Sequence, residues 1–253
     1  MMKYYQEFAK KMVLTFGDVE SIVGNRNTAA RIVADYEDKG ILIRIKKNLY
    51  AVASLENGGF IPNEYQIGCY LKPNAFISHH SAFVFRGFYN QVYSTVDVSS
   101  PTHFGNVFFA GKEYRHHYSS VLEQVETVGN AIRVTTMERT IVDSIKDMKK
   151  TMELEELIRC IEMVPWAKED RLVHLLSLYE NRLLWKKVGF LLKNCSIKFE
   201  LTDSFFETCR QNGGNSLGYF SSEEKTSQRY DKEWGLYVPS LKKDQEGSPN
   251  VLI

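Results

Sequence analysis

An α+β protein with a small helical head and a larger mixed body is the fold class predicted here, on three observations. Over the first 54 residues, short amphipathic helix patterns flank a Gly24-Asn25 turn and run into two β-rich segments. From about residue 75 to residue 135, short strand patterns alternate with turn residues such as Pro101 and Gly111. Beyond Thr136, Leu, Ile and Val recur at helical spacing through most of the remaining chain. The 253 residues are 43% hydrophobic and 25% charged, which suits a folded chain with a sizeable core and argues against long disorder.

The first helix pattern covers residues 3–12, with Tyr5, Phe8, Ala9 and Met12 on one face. Thr15 is the expected cap of the second, with Asp18 as the acid of a capping box and Val19, Ile22 and Val23 as its apolar stripe. Gly24-Asn25 stops that helix, because both residues tolerate the left-handed conformation. A third helix is expected from a cap at Asn27 or Thr28, carrying Ala29, Ile32, Val33 and Tyr36 at i, i+3, i+4 and i+7 until Gly40. Residues 41–45 and 49–52 then read as strands around a Lys46-Lys47-Asn48 turn. Helix, helix, turn, helix and hairpin is the order of a winged helix-turn-helix. In that architecture the third helix enters the major groove by its N-terminal residues, and the hairpin tip reaches the flanking backbone.

The DNA-binding candidates follow from these positions: Arg26, Asn27, Thr28 and Arg31 toward base edges, and Arg44, Lys46, Lys47 and Asn48 toward phosphate. Residues 1–54 hold nine Lys/Arg against six Asp/Glu, whereas the whole chain carries only +1, so the basic surplus sits in the head. A winged helix can equally be a protein-docking module, and exposed Lys and Arg are ordinarily just solvated. The placement of the cations at the two elements that meet DNA favours nucleic acid. Asp35, Glu37 and Asp38 belong to the distal end of the third helix, away from the groove.

Gly58-Gly59 and Pro62 mark a linker, which sets the head at residues 1–56, a body at 60–240 and a polar, frayed tail at 241–253. In the body, helices are expected at 64–71, 78–85, 137–145, 154–163, 171–179, 183–192 and 204–211. Strands are expected at 75–77, 93–99, 107–110, 113–118, 131–135 and 236–238. No apolar run of 18 residues occurs and no apolar core follows the N-terminal lysines, so neither a membrane span nor secretion is indicated and the cytoplasm is the default. Cys69, Cys160, Cys195 and Cys209 have no metal or redox spacing.

Walker loop, nucleophile elbow, H-E-x-x-H helix and dinucleotide fingerprint are all lacking, and no catalytic residue, metal or cofactor is expected. An enzymatic alternative, a metal-dependent nuclease or phosphodiesterase, would draw on His79 or His80, His116 or His117, Glu138 and Asp143. Neighbouring residues on a strand point to opposite faces, so only one histidine of each pair could join such a site. In the stretch TTMERTIVDSI, Thr135 or Thr136 caps a helix and Glu138, Arg139 and Asp143 form local polar pairs.

Three features in order carry a resemblance: the winged head, Ile77-Ser78-His79-His80-Ser81-Ala82 as I-S-x-x-S-A, and Glu138-Arg139-Thr140-Ile141-Val142-Asp143 as E-R-T-x-x-D. The chain resembles the AbiEi family of bacterial antitoxins and transcriptional regulators over roughly residues 5 to 195, with Arg86-Gly87 where members often have His-Gly. The resemblance implies an autoregulator that binds inverted repeats in double-stranded DNA of its own promoter, with two copies on the DNA. It also implies an antitoxin that counters a nucleotidyltransferase-like toxin without a stable complex between the two. A regulator unrelated to toxins, whose body senses a ligand, is the remaining alternative.

Overall fold

The computed structural model describes residues 3–56, 58–129, 131–220 and 228–239. Their contacts divide the chain into two compact units, Met1–Ser81 with Tyr93–Val134 and Ala82–Val92 with Thr135–Ile253. The division falls elsewhere than the boundary expected near residue 57. The helical head groups with the strands that follow it. The tail expected at 241–253 lies outside the described residues.

The head consists of α1 (Tyr5–Lys11), β1 (Val13–Thr15), α2 (Phe16–Val23), α3 (Arg26–Asp38), β2 (Leu42–Lys46) and β3 (Leu49–Val52). The first helix stops at Met12, whose φ of 64° turns the backbone so that Val13 to Thr15 can pair antiparallel with Leu49 to Ala51. The resulting three-stranded sheet has the order β1-β3-β2. Three residues are too few for strand alternation to register, which is why β1 was not expected. Thr15 caps α2 as predicted: its Oγ1 accepts the Asp18 N–H at 3.1 Å, while the Asp18 carboxylate accepts the Thr15 N–H at 2.9 Å.

Helix α3 is capped two or three residues earlier than expected. The Asn25 side chain, not that of Asn27 or Thr28, is the cap, its Oδ1 accepting the Thr28 N–H at 3.0 Å. Asn25 can serve because Gly24 alone takes the left-handed turn, at φ 80°, and leaves Asn25 extended. Gly40 ends α3 at φ 66°, with Gly40 N–H donating to the Glu37 carbonyl and Ile41 N–H to that of Tyr36, the two hydrogen bonds of a Schellman stop. Phe8, Leu14, Val19, Ala29, Val33, Tyr36, Leu42, Tyr50 and Val52 form the head's core. Each such apolar side chain stabilises the fold by about 1.5–3 kcal/mol relative to exposure.

The same unit holds α4 (Glu64–Tyr70), β4 (Phe76–Ile77), the start of α5 (His79–Arg86), β5 (Thr95–Ser100), β6 (Val107–Phe109), β7 (Lys112–Tyr118), β8 (Val125–Val128) and β9 (Ile132–Thr135). These strands form one mixed sheet ordered β6-β7-β5-β4-β9-β8. The central pair β5 and β7 is parallel over six residues, and β5 is buried at every position from Val96 to Ser100, as a strand covered on both faces should be. Helix α4 comes close enough that a Cβ on Gly68 would stand 2.8 Å from Ile77 Cδ1.

In the second unit, α6 (Met137–Lys146), α7 (Met148–Thr151), α8 (Leu154–Met163), α9 (Glu169–Tyr179), α10 (Arg182–Leu192) and α11 (Asp203–Gly213) precede β10 (Gly218–Tyr219), β11 (Gln228–Asp231) and β12 (Leu236–Pro239). The last three make a small sheet of order β10-β12-β11. Its final strand was expected; β10 and β11 were not. The architecture is thus α+β, and among the described residues no helix is long and apolar enough to cross a membrane.

Candidate nucleic-acid interface

Helix α3 buries Ala29, Val33 and Tyr36 and turns Asn27, Ala30, Arg31 and Ala34 outward on its opposite face. Its first turn holds no acidic residue, so the positive end of the helix dipole is left uncancelled by the chain itself. Thr28 directs both its N–H and its hydroxyl to the Asn25 side chain, at 3.0 and 3.2 Å, and so helps to hold the helix start rigid. Two acids of α3 are engaged toward its far end: Asp35 pairs with Lys39 at 2.7 Å, and Glu37 takes Arg44.

The eight candidate residues separate into two groups. Asn27, Thr28 and Arg31 are exposed at the beginning of α3, as are Lys47 and Asn48 at the two-residue hairpin tip. Neither Arg31 nor Lys47 makes an ion pair among the described residues. Arg26, at the first helical position, lies with its guanidinium 5.4 Å from the centre of the Phe16 ring and 3.4 Å from Glu20.

Arg44 and Lys46 have other engagements. The Arg44 guanidinium grips Glu37 through Nε and a terminal nitrogen, at 2.8 and 2.7 Å, and this paired carboxylate holds its pKa above the usual value. Lys46 folds back instead of projecting from the tip. Its Nζ donates to the Leu71 carbonyl at 2.5 Å and stands 5.8 Å from the Phe104 ring, and burial, with Lys72 nearby, lowers its pKa. The cause is register: a bulge between Arg44 and Lys46 pairs Lys46 with Leu49, leaving only Lys47 and Asn48 to form the turn.

Sequence reasoning missed Phe16. Its N–H donates to the Asn48 carbonyl at 3.1 Å, while its ring carries Arg26, so one residue ties the hairpin tip to the beginning of α3. Only the position of an aromatic directly after the Thr15 cap could have signalled it.

The residues of the enzymatic alternative are mostly internal. His79 and His117 do meet, one from each pair, but with ring centres 4.3 Å apart; His117 Nε2 is 2.8 Å from Asp97 Oδ1 and His79 Nδ1 is 2.8 Å from Ser78 Oγ. Ser78 also bonds Ser99 at 2.7 Å, and His80 lies against Tyr93. His79, His80 and His117 are at most 6% exposed. In the second unit Glu138 and Asp143 are buried too. Glu138 accepts the Lys168 N–H at 3.0 Å; Asp143 takes the Arg139 Nε at 3.2 Å and the Tyr179 hydroxyl. Burial, reinforced by the Asp143 charge, drives the Tyr179 pKa up. Thr136 caps α6, and Thr135 instead bonds Thr140 at 2.6 Å.

No family model matches the sequence, and no curated protein does. A solved structure does match. The crystal structure of the RV2827C protein from Mycobacterium tuberculosis is similar at a TM-score of 0.64 and 12% identity, over 93% of this chain and 90% of that one. At that identity the likeness concerns the fold alone.

Proposed function

We propose that the head is a winged helix-turn-helix that binds double-stranded DNA, and that the protein is an autoregulator and antitoxin of the AbiEi type. The observation that carries the DNA reading is the tie through Phe16, which brings the basic start of α3 and the Lys47-Asn48 tip to one side of the head. A helix start free of acidic side chains, an outward Arg31 beside two alanines and a Lys47 with no ion pair among the described residues make that side fit a groove edged by phosphates. The site narrows to Arg26, Asn27, Thr28, Arg31, Lys47 and Asn48, with Arg44 and Lys46 bracing it from behind. The antitoxin part rests on the resemblance in the I-S-x-x-S-A and E-R-T-x-x-D blocks, whose residues form internal pairs and contribute to holding the body.

The experiment is binding of the full chain to the DNA upstream of its own gene, against a scrambled duplex, over a salt series. Saturable binding preferring the natural sequence by about a thousandfold is expected. Equal, weak binding to both duplexes that disappears with salt would reject specific autoregulation. Toxicity of the neighbouring gene, relieved by this protein, tests the antitoxin half separately.

A further inference from the structure

Two histidines that no motif joins, His103 on the loop after β5 and His116 in β7, face each other through the same ring atom. Their Nδ1 nitrogens are 3.2 Å apart. Between two neutral imidazoles that distance admits one N–H···N hydrogen bond, and the surroundings settle its direction. His116 Nε2 lies 3.2 Å from the Ser100 carbonyl, which can only accept, so Nε2 carries the proton and Nδ1 presents its lone pair. His103 therefore donates.

This separation is also close to that of two adjacent ligands on a tetrahedral ion. With metal–nitrogen bonds of about 2.0–2.1 Å, tetrahedral ligand nitrogens stand roughly 3.3–3.4 Å apart. A ligating imidazole characteristically donates its other N–H to a carbonyl, which fixes its tautomer and orientation, and Ser100 does this for His116 with its hydroxyl 3.1 Å from the same nitrogen. Phe104 packs edge-on against the His116 ring at 4.8 Å and holds it in place. His103 is exposed, so the pair opens to solvent.

We propose that His103 and His116 form a surface site for a borderline divalent transition ion, zinc, nickel or copper, bound through both Nδ1 atoms with water in the remaining positions. Imidazole nitrogen suits these ions, and harder ions such as magnesium and calcium are disfavoured. Binding exchanges two metal-bound waters for the two nitrogens. The His103 proton leaves Nδ1 for solvent, and Nε2 of the same ring takes one up, so neutral imidazoles bind without net proton release. The site is independent of the DNA reading: it uses neither α3 nor the hairpin tip.

The test is calorimetric titration of the full chain, without a histidine tag, with zinc chloride at pH 7.5. One ion per chain is expected, with affinity reduced about tenfold or more by His103→Ala and by His116→Gln, and unchanged by His174→Ala in the second unit. His103 is exposed, and its variant keeps the fold, to be verified by an unchanged thermal midpoint without metal. Absence of saturable binding, or binding unchanged in His103→Ala, overturns the proposal, as would equal affinity for magnesium.

Discussion

Lys46 and Lys47 are neighbours in sequence with opposite electrostatic circumstances. Lys46 is held against the Leu71 carbonyl and the Phe104 ring, whereas Lys47 stands in solvent at the tip. Each phosphate neutralised by a cation steepens the salt dependence of binding by about 0.9, so Lys47→Ala should lower the slope of log affinity against log salt by about one. Lys46→Ala should leave that slope unaltered; measured slopes that fall equally would place both lysines on phosphate. Arg31→Ala should instead cost about 1–3 kcal/mol on the preferred sequence and relax the preference itself. Asp18 permits a prediction of another kind. Burial pushes its pKa up, but the Lys11 ammonium and the Thr15 hydroxyl and N–H outweigh that and hold the carboxyl below its usual value. A carboxylate depressed in the folded state stabilises above its unfolded pKa, near 3.9, and loses that contribution as pH falls through the folded value. Asp18→Asn should therefore lower stability by about 0.5–1 kcal/mol at pH 7, a small figure because the pair is partly screened by solvent, and by much less at pH 3. Urea midpoints at the two pH values decide it, and an equal deficit at both would assign the effect to something other than charge.

At the scale of elements, what is encoded locally differs from what only the fold can set. The capping box on α2, the Gly40 stop and the apolar stripe of α3 are legible because each is a short-range rule between residues three or four apart. The beginning of α3 was displaced because Asn25, Asn27 and Thr28 are all competent caps, and the Gly24 turn decides among them. Asn25→Ala should accordingly destabilise by about 1 kcal/mol, whereas Asn27→Ala should change stability by less than about 0.5 kcal/mol, both read from thermal midpoints. Lys46 was misdirected because its partners, Leu71 and Phe104, are 25 and more residues away, a pairing with no local signature. The same applies to β1 and β10, short strands whose partners lie 38 and 18 residues on, at Ala51 for Val13 and Leu236 for Gly218. The contact of α10 with α11 was likewise hidden. Gly189 lies so close to its neighbours that an added Cβ would stand 2.2 Å from the Trp234 ring and 3.1 Å from Cys209 Cβ. Gly189→Ala should cost at least about 1–3 kcal/mol through overpacking, although alanine is the better helix former, and a raised urea midpoint would contradict that reading of the packing.

At the scale of the whole molecule, charge and copy number set how the proposed interface can work. A chain with net charge +1 has almost no long-range attraction for DNA, so the basic surplus of the head must act at contact distance. One α3 per chain can read one half-site, and a single half-site contact supplies little discrimination against the excess of non-specific sequence. If the head binds DNA as proposed, specific repression calls for two copies on an inverted repeat, bound to each other while on DNA. This has a geometric consequence. Half-sites bound on one face of the duplex are separated by a whole number of turns, about 10–10.5 base pairs each. Adding five base pairs between them rotates one half-site to the far side; adding ten restores the face. Affinity for the upstream repeat should therefore fall with the five-pair insertion to that of an isolated half-site, and recover at least in part with ten. Two chains per repeat should be counted by sedimentation on the natural spacing. Affinity indifferent to spacing would mean that the copies bind independently, and the contact between them, rather than the DNA reading, is what that outcome would remove.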